Sequence, residues 1–258
     1  MLIKARTLTG YKLQSLDGEI GKVKDFYFDD RDWMVRYLVA DTGEWLVGRQ
    51  VLISPHSLAG VDREQESITV KLTKIEIEHS PSLNRDKPVS RQFEQEYAVF
   101  FGSPMYWGFP HDPGPRAESR EPAKKQSDPD LRSTSAVSGH HVEASDGEIG
   151  HVEDFLIDDQ TWAIRYLIVD TRDWLPGRRV LISPKWIGRV SWSKKQVVVG
   201  LTREAIQRAP EYTDVAPLTR DLEIALHRHY NRPTYWPADL GGSEDSELAK
   251  ELLAHRRF

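Results

Sequence analysis

The sequence predicts a mainly β protein: two small β-barrels in tandem, each followed by a short α-helix, joined by a disordered linker. Three observations carry this prediction. Asp17–Pro55 recurs as Asp146–Pro184 at a constant offset of 129 residues without gaps, and 25 of the 39 positions are identical. Within each copy, short apolar runs are separated by turn residues, a spacing that favours a small barrel over a parallel sheet. Beyond the strands the apolar spacing changes from two to about four residues, which is the signature of a helix.

Each repeat opens on a tight hairpin. Asp17-Gly18 and Asp146-Gly147 are the dipeptide that accepts positive φ between two strands. The acidic pairs Asp29-Asp30 and Asp158-Asp159 read as the next turn. After it, Trp33, Val35, Tyr37 and Val39 alternate with Met34, Arg36, Leu38 and Ala40, and Trp162, Ile164, Tyr166 and Ile168 repeat the pattern. Both faces are largely apolar, as expected for a strand covered on both sides. An arginine inside that run, Arg36 or Arg165, is expected to pair with one of the neighbouring aspartates. Further strands are expected at Gln50–Ser54 and Ser67–Leu72, matched by Arg179–Ser183 and Gln196–Leu201.

The helix that closes each unit should start at Ser90 and Thr219, both N-cap residue types. Phe93, Tyr97 and Phe101, or Leu222, Leu226 and Tyr230, then recur every four residues. Each helix leads into a Pro-x-Tyr-Trp tail, Pro104–Trp107 and Pro233–Trp236. The domain reading is therefore 1–109 for the first unit, 110–139 for the linker, 140–238 for the second unit and 239–258 for a C-terminal tail. In that tail Leu248, Leu252 and Leu253 would give a short helix one apolar side. The linker is rich in Pro, Ser and charge, with Leu131 and Val137 its only large aliphatic residues. It cannot bury enough apolar surface to offset its ordering entropy, and as a coil it would span about 30 Å root-mean-square.

Composition narrows the chemistry. The 258 residues include 35 Lys+Arg, 40 Asp+Glu and no cysteine, for a formal charge of −5. Disulfides, thiolate nucleophiles and zinc-thiolate or iron-sulfur centres are excluded. No apolar stretch reaches the 18 or more residues of a membrane span, and the N-terminus lacks a signal-peptide pattern, so a cytoplasmic location, free or membrane-peripheral, is expected. No phosphate loop, nucleophile elbow or nucleophile-base spacing is present. The recurring carboxylates Glu19/Glu148, Asp25/Asp154, Asp29/Asp158 and Asp30/Asp159 fall at expected turns and strand ends, where they serve structure. His227-x-His229 does not make a metal set, because on a helix positions two apart diverge by about 200°, and the adjacent His140-His141 falls at an expected linker end. The sequence therefore predicts no enzyme, no metal and no cofactor.

The pattern DGEIGKV.DF..DD..W..RYLV.DT..WL.GR.VLISP, carried by both copies, resembles the PRC-barrel family, named for the cytoplasmic domain of the photosynthetic reaction-centre H subunit. The resemblance covers Tyr11 to about Leu83 and Val142 to about Tyr212, and the tails resemble those of stand-alone bacterial members. It implies a small barrel that acts as an assembly or interaction module. The H subunit supports electron and proton transfer to quinone, and another member, a ribosome maturation factor, engages the small subunit. This chain lacks the transmembrane helix of the first and the separate N-terminal barrel of the second.

Two sets of residues are candidates for binding. The tail aromatics Tyr106, Trp107, Tyr235 and Trp236 would pack on their own barrels or meet a protein partner. The second set comes from the difference between copies. Gln50, His56, Gly60, Gln65 and Glu66 become Arg179, Lys185, Arg189, Lys194 and Lys195, with Trp186 and Trp192 interleaved. That composition suits an anionic partner, by phosphate contact and base stacking, or contact with Glu64 and Glu66 of the first copy in an intramolecular barrel–barrel pair. The leading expectation is a non-enzymatic scaffold with a protein partner. The alternatives are an RNA- or ribosome-associated factor and a peripheral helper of a photosynthetic or electron-transport complex.

Overall fold

The structure, a computed structural model, describes residues 1–43, 45–46, 49–81, 91–102, 131–171, 174, 177–214 and 218–236. The first unit contains β1 (Leu2–Lys4), α1 (Ala5–Leu8), β2 (Lys12–Ser15), β3 (Gly18–Asp29), β4 (Met34–Asp41), β5 (Gln50–Ile53), β6 (Leu58–Asp62), β7 (Ser67–Val70), α2 (Lys74–His79) and α3 (Arg91–Phe101). The second repeats the order with β8 (Leu131–Ser133), α4 (Thr134–Val137), β9 (His141–Ala144), β10 (Gly147–Asp158), β11 (Ile164–Asp170), β12 (Arg179–Ile182), β13 (Ile187–Ser191), β14 (Gln196–Val199), α5 (Arg203–Gln207) and α6 (Arg220–His229). The fold is mainly β, as the alternation indicated.

Two seven-stranded sheets result, with paths β5-β4-β3-β2-β7-β6 and β12-β11-β10-β9-β14-β13. Each is built on one long strand, β3 or β10, which bulges at matching places: Val23/Asp25 and Tyr27/Phe28, then Val152/Asp154 and Leu156/Ile157. A bulge bends its strand and increases its twist, so one strand can serve neighbours along its length in different directions. Gly21 and Gly150 make the bend feasible. A Cβ on either would lie 2.0 or 1.9 Å from the carbonyl oxygen of Asp41 or Asp170.

The seventh strand of each sheet comes from the other unit. β1 pairs antiparallel with β10, Leu2 opposite Asp158 and Lys4 opposite Leu156. β8 pairs with β3, Leu131 opposite Asp29 and Ser133 opposite Tyr27, which is the same register moved by 129 residues. The exchange is therefore reciprocal about a pseudo-twofold axis, which passes near Met34 and Ala163, the two residues that form a bridge there. Val35 N–H donates to Trp162 O (2.9 Å) and Ile164 N–H to Trp33 O (2.8 Å). Across the axis Phe28 meets Phe155 at 5.8 Å and Phe26 meets Trp162 at 6.2 Å between ring centroids. The main core is continuous through both units.

Two expectations change here. Residues 131–137, assigned from composition to the linker, form β8 and α4. Leu131 and Val137, the two aliphatics of that stretch, are buried, and its hydroxyl residues are hydrogen-bonded to Asp25 rather than to water. Linker residues 110–130 and the C-terminal tail from 239 lie outside the described residues. Secondly, Trp33 and Trp162 are turn residues at φ +56° and +59°, not the first residues of their strands. That conformation turns Trp33 onto Phe28, stacked at 5.1 Å, beside the axis.

Candidate functional site

The aspartates at the first bulges hold the exchanged segments. Asp25 accepts hydrogen bonds from the Ser133 hydroxyl, Thr134 Oγ1 (2.7 Å), Ser135 N (3.2 Å) and Ser135 Oγ (2.7 Å), and so caps the start of α4. Asp154 takes the same place for α1, but accepts only Arg6 N (3.2 Å) from the other unit, beside its neighbour Phe155 N (2.8 Å). With no hydroxyls to replace lost water, burial pushes the Asp154 carboxyl above the usual carboxylate range. The turn aspartates pair as expected with the strand arginines: Arg165 Nη2 to Asp158 at 2.9 Å, and Arg36 to Asp29 at 3.5 Å and Asp32 at 3.1 Å.

The second unit's tail docks on its own barrel. Thr219 caps α6, whose apolar face lies on the sheet, and Tyr235 and Trp236 fold back along it. Tyr235 OH donates to Glu223 Oε1 (2.8 Å). Arg165 covers the Tyr235 ring at 4.2 Å and Arg220 the Trp236 ring at 4.0 Å. His227 Nδ1 faces the Pro233 carbonyl at 2.8 Å, so Nδ1 carries the proton and Nε2 accepts from Tyr166 OH at 2.9 Å. That hydroxyl also lies 3.0 Å from Glu223 Oε1, so its one proton is shared between two acceptors. Burial lowers the His227 pKa and raises that of Tyr235 to about 12. The network fixes the tail on its own unit. In the first unit Tyr97 packs edge-on to Tyr37 at 5.1 Å, and its hydroxyl accepts from Ser54 N (2.9 Å). Tyr106 and Trp107 lie outside the described residues.

The candidate basic residues separate into two groups. Lys185 in the turn before β13, Arg189 on β13, and Lys194 and Lys195 in the turn between β13 and β14 are exposed. Arg179 is committed to Glu153 (2.8 Å) and Asp214 (2.6 Å). Trp186 is 4% exposed, packed against Tyr230 at 4.8 Å and His227 at 5.2 Å, and is a core residue rather than a stacking platform. Trp192 is half-buried with Arg132 above its ring at 4.4 Å, so one face is already taken. The barrels do contact one another, through the exchanged strands and through the Trp33 and Trp162 turns and the Phe28–Phe155 pair at the axis. Sequence reasoning missed Glu223, Tyr166 and His227 as a set; the four-residue spacing of Glu223 and His227 on one helix face was the available signal.

An open depression beside Lys194 is lined by His141, Glu143, Glu148 and Gln196, with His141 Nδ1 2.7 Å from Glu148 and Gln196 Nε2 2.6 Å from Glu143. Its polar groups satisfy one another. Among the described residues no cluster of His, Asp and Glu is arranged to hold a metal, and no helix is long and apolar enough to cross a membrane.

The match to known families falls on the same framework. Residues 2–77 fit the model of the PRC-barrel domain, from the exchanged strand β1 into α2. The first unit is a PRC-barrel domain. Its second copy follows the same strand order, bulges and register. PRC-barrel domains mediate protein interactions and are a non-catalytic family. No curated protein matches the chain.

Proposed function

We propose that the chain is a non-enzymatic scaffold that supports assembly of a cytoplasmic or membrane-peripheral complex, and that it engages an acidic protein surface through the β13–β14 edge. The observation that carries this reading is the state of four cations there. Lys185, Arg189, Lys194 and Lys195 are exposed, and none makes an ion pair among the described residues. The equivalent places in the first PRC unit hold His56, Gly60, Gln65 and Glu66. Complementary charge of this kind raises association rate and selects partners. A base-stacking role is disfavoured because Trp186 is buried and one face of Trp192 is covered.

The test places a photo-crosslinking residue at Arg189 in the full chain, with Gly60 as the control position, in a native lysate. A protein adduct at Arg189 that disappears with Lys194→Glu/Lys195→Glu supports the proposal. An adduct abolished by nuclease, or equal adducts at both positions, overturns it.

A further inference from the structure

Each exchanged segment is an arm: residues 2–8 from the first unit and 131–137 from the second. We infer that the two arms are matched to unlike acceptors, so that the PRC units recognise each other as a specific pair and remain paired without the chain that joins them. The partner that this surface fits is thus a second PRC unit of complementary charge.

The arms share a backbone plan and differ in chemistry. Both insert aliphatics into the opposite unit, Ile3 and Leu8 from one, Leu131 and Val137 from the other, all buried. The first arm is cationic. Lys4 Nζ lies 2.9 Å from Asp214, which also holds Arg179, and the Arg6 side chain reaches the Glu153 carbonyl at 3.5 Å while its N–H meets Asp154. The second arm is hydroxyl-rich. Ser133, Thr134 and Ser135 occupy the register places of Lys4, Ala5 and Arg6, and their hydroxyls satisfy Asp25, while Arg132 Nε pairs with Asp30 at 3.1 Å.

The acceptors differ in the complementary sense. Lys24 of the first unit stands where the second has Glu153, and Gln50 stands where it has Arg179. A pairing of two first units would set Lys4 and Arg6 beside Lys24 and forfeit Asp214. Asp25 would meet backbone N–H alone, as Asp154 does, and lose three hydroxyl donors. Like-charge juxtaposition and unsatisfied carboxylate both act against the wrong partner, which is how an interface discriminates between close relatives. In the observed pairing each carboxylate faces the donors its own surroundings lack.

The experiment uses the full chain with a protease site placed between residues 111 and 128. After cleavage, native mass spectrometry is expected to show one species holding both fragments in equal number. The nicked protein is then mixed with an isotope-labelled nicked sample, unfolded and refolded. The ratio of unlike to like pairs should exceed its statistical value of one by about tenfold, and Lys4→Glu should reduce that excess. Separate fragments, or a statistical mixture of like and unlike pairs, would overturn the inference. If the fragments do not refold, hydrogen exchange on the nicked but never unfolded protein decides. Protection of residues 2–8 and 131–137 equal to that in the intact chain supports the inference, and loss in either arm refutes it.

Discussion

Asp25 and Asp154 occupy one register place in two copies of a fold, yet their replacement by alanine should have unequal effects. Asp25→Ala removes the acceptor for four donors of the second arm: the Ser133, Thr134 and Ser135 hydroxyls and the Ser135 N–H. Net values for single hydrogen bonds are about 1 kcal/mol, and Ser135 can turn to water, so a loss of roughly 3 kcal/mol is expected. For a protein of this size that is a fall of about 6–12 °C in Tm. Asp154→Ala removes one N–H contact from the first arm, and it also removes a carboxylate whose charged form burial disfavours. Its net effect should stay within about 1 kcal/mol, or about 4 °C. Each aspartate also accepts from the following N–H, Phe26 or Phe155, at 2.8 Å, and that contribution cancels in the comparison. Differential scanning calorimetry at pH 7 measures both. Equal shifts, or a larger shift for Asp154→Ala, would refute the claim that the hydroxyl-rich arm is the more tightly capped.

Four further outcomes follow from the same geometry. Asp154→Asn keeps an oxygen for both N–H donors and removes a charge whose folded pKa is raised; a raised carboxyl contributes stability at low pH that is lost as pH rises, so the variant should match the parent near pH 3.5 and equal or exceed its Tm at pH 7. His227 is held neutral by burial, so the stability it gives the tail is present above about pH 6.5 and lost on acidification; the hydrogen-exchange protection of residues 230–236, relative to the intrinsic rate at each pH, should fall between pH 7 and pH 5, and His227→Gln should abolish that change. Trp186→Ala empties a core site and should cost about 3–5 kcal/mol in urea unfolding, whereas Trp192→Ala should cost roughly 1 kcal/mol, the worth of a cation–π contact. Gly21→Ala and Gly150→Ala drive a methyl into a backbone carbonyl at φ +126° and +141°, and each should leave little folded protein by circular dichroism.

Much of this architecture was legible in the residues. The alternation around Tyr37 and Tyr166, the Asp-Gly hairpins and Thr219 each encode a local preference, and local preferences survive into the fold. The arms were not legible for the opposite reason. Residues 131–137 keep only Leu and the final Val in common chemistry with residues 2–8, and a strand of three residues has no period to read. Its order comes from Asp25, more than 100 residues away along the chain. The basic set was half readable for a similar reason: composition placed Trp186 among lysines, while packing against Tyr230 and His227 decides which way the indole points. For Glu223 and His227 the spacing was present, and only Tyr166, on a different element, turns that spacing into a network.

The pseudo-twofold axis has a consequence for valency. A dimer of identical subunits must offer every surface twice, and any partner it binds can be bridged to another. Here the two halves are encoded separately, and their outer hairpins have drifted apart: Asp62, Glu64 and Glu66 on β6–β7, Arg189, Lys194 and Lys195 on β13–β14. The molecule keeps the buried interface of a symmetric pair while displaying each face once. Such a body presents two different faces in one fixed orientation, where a symmetric pair would present one face twice.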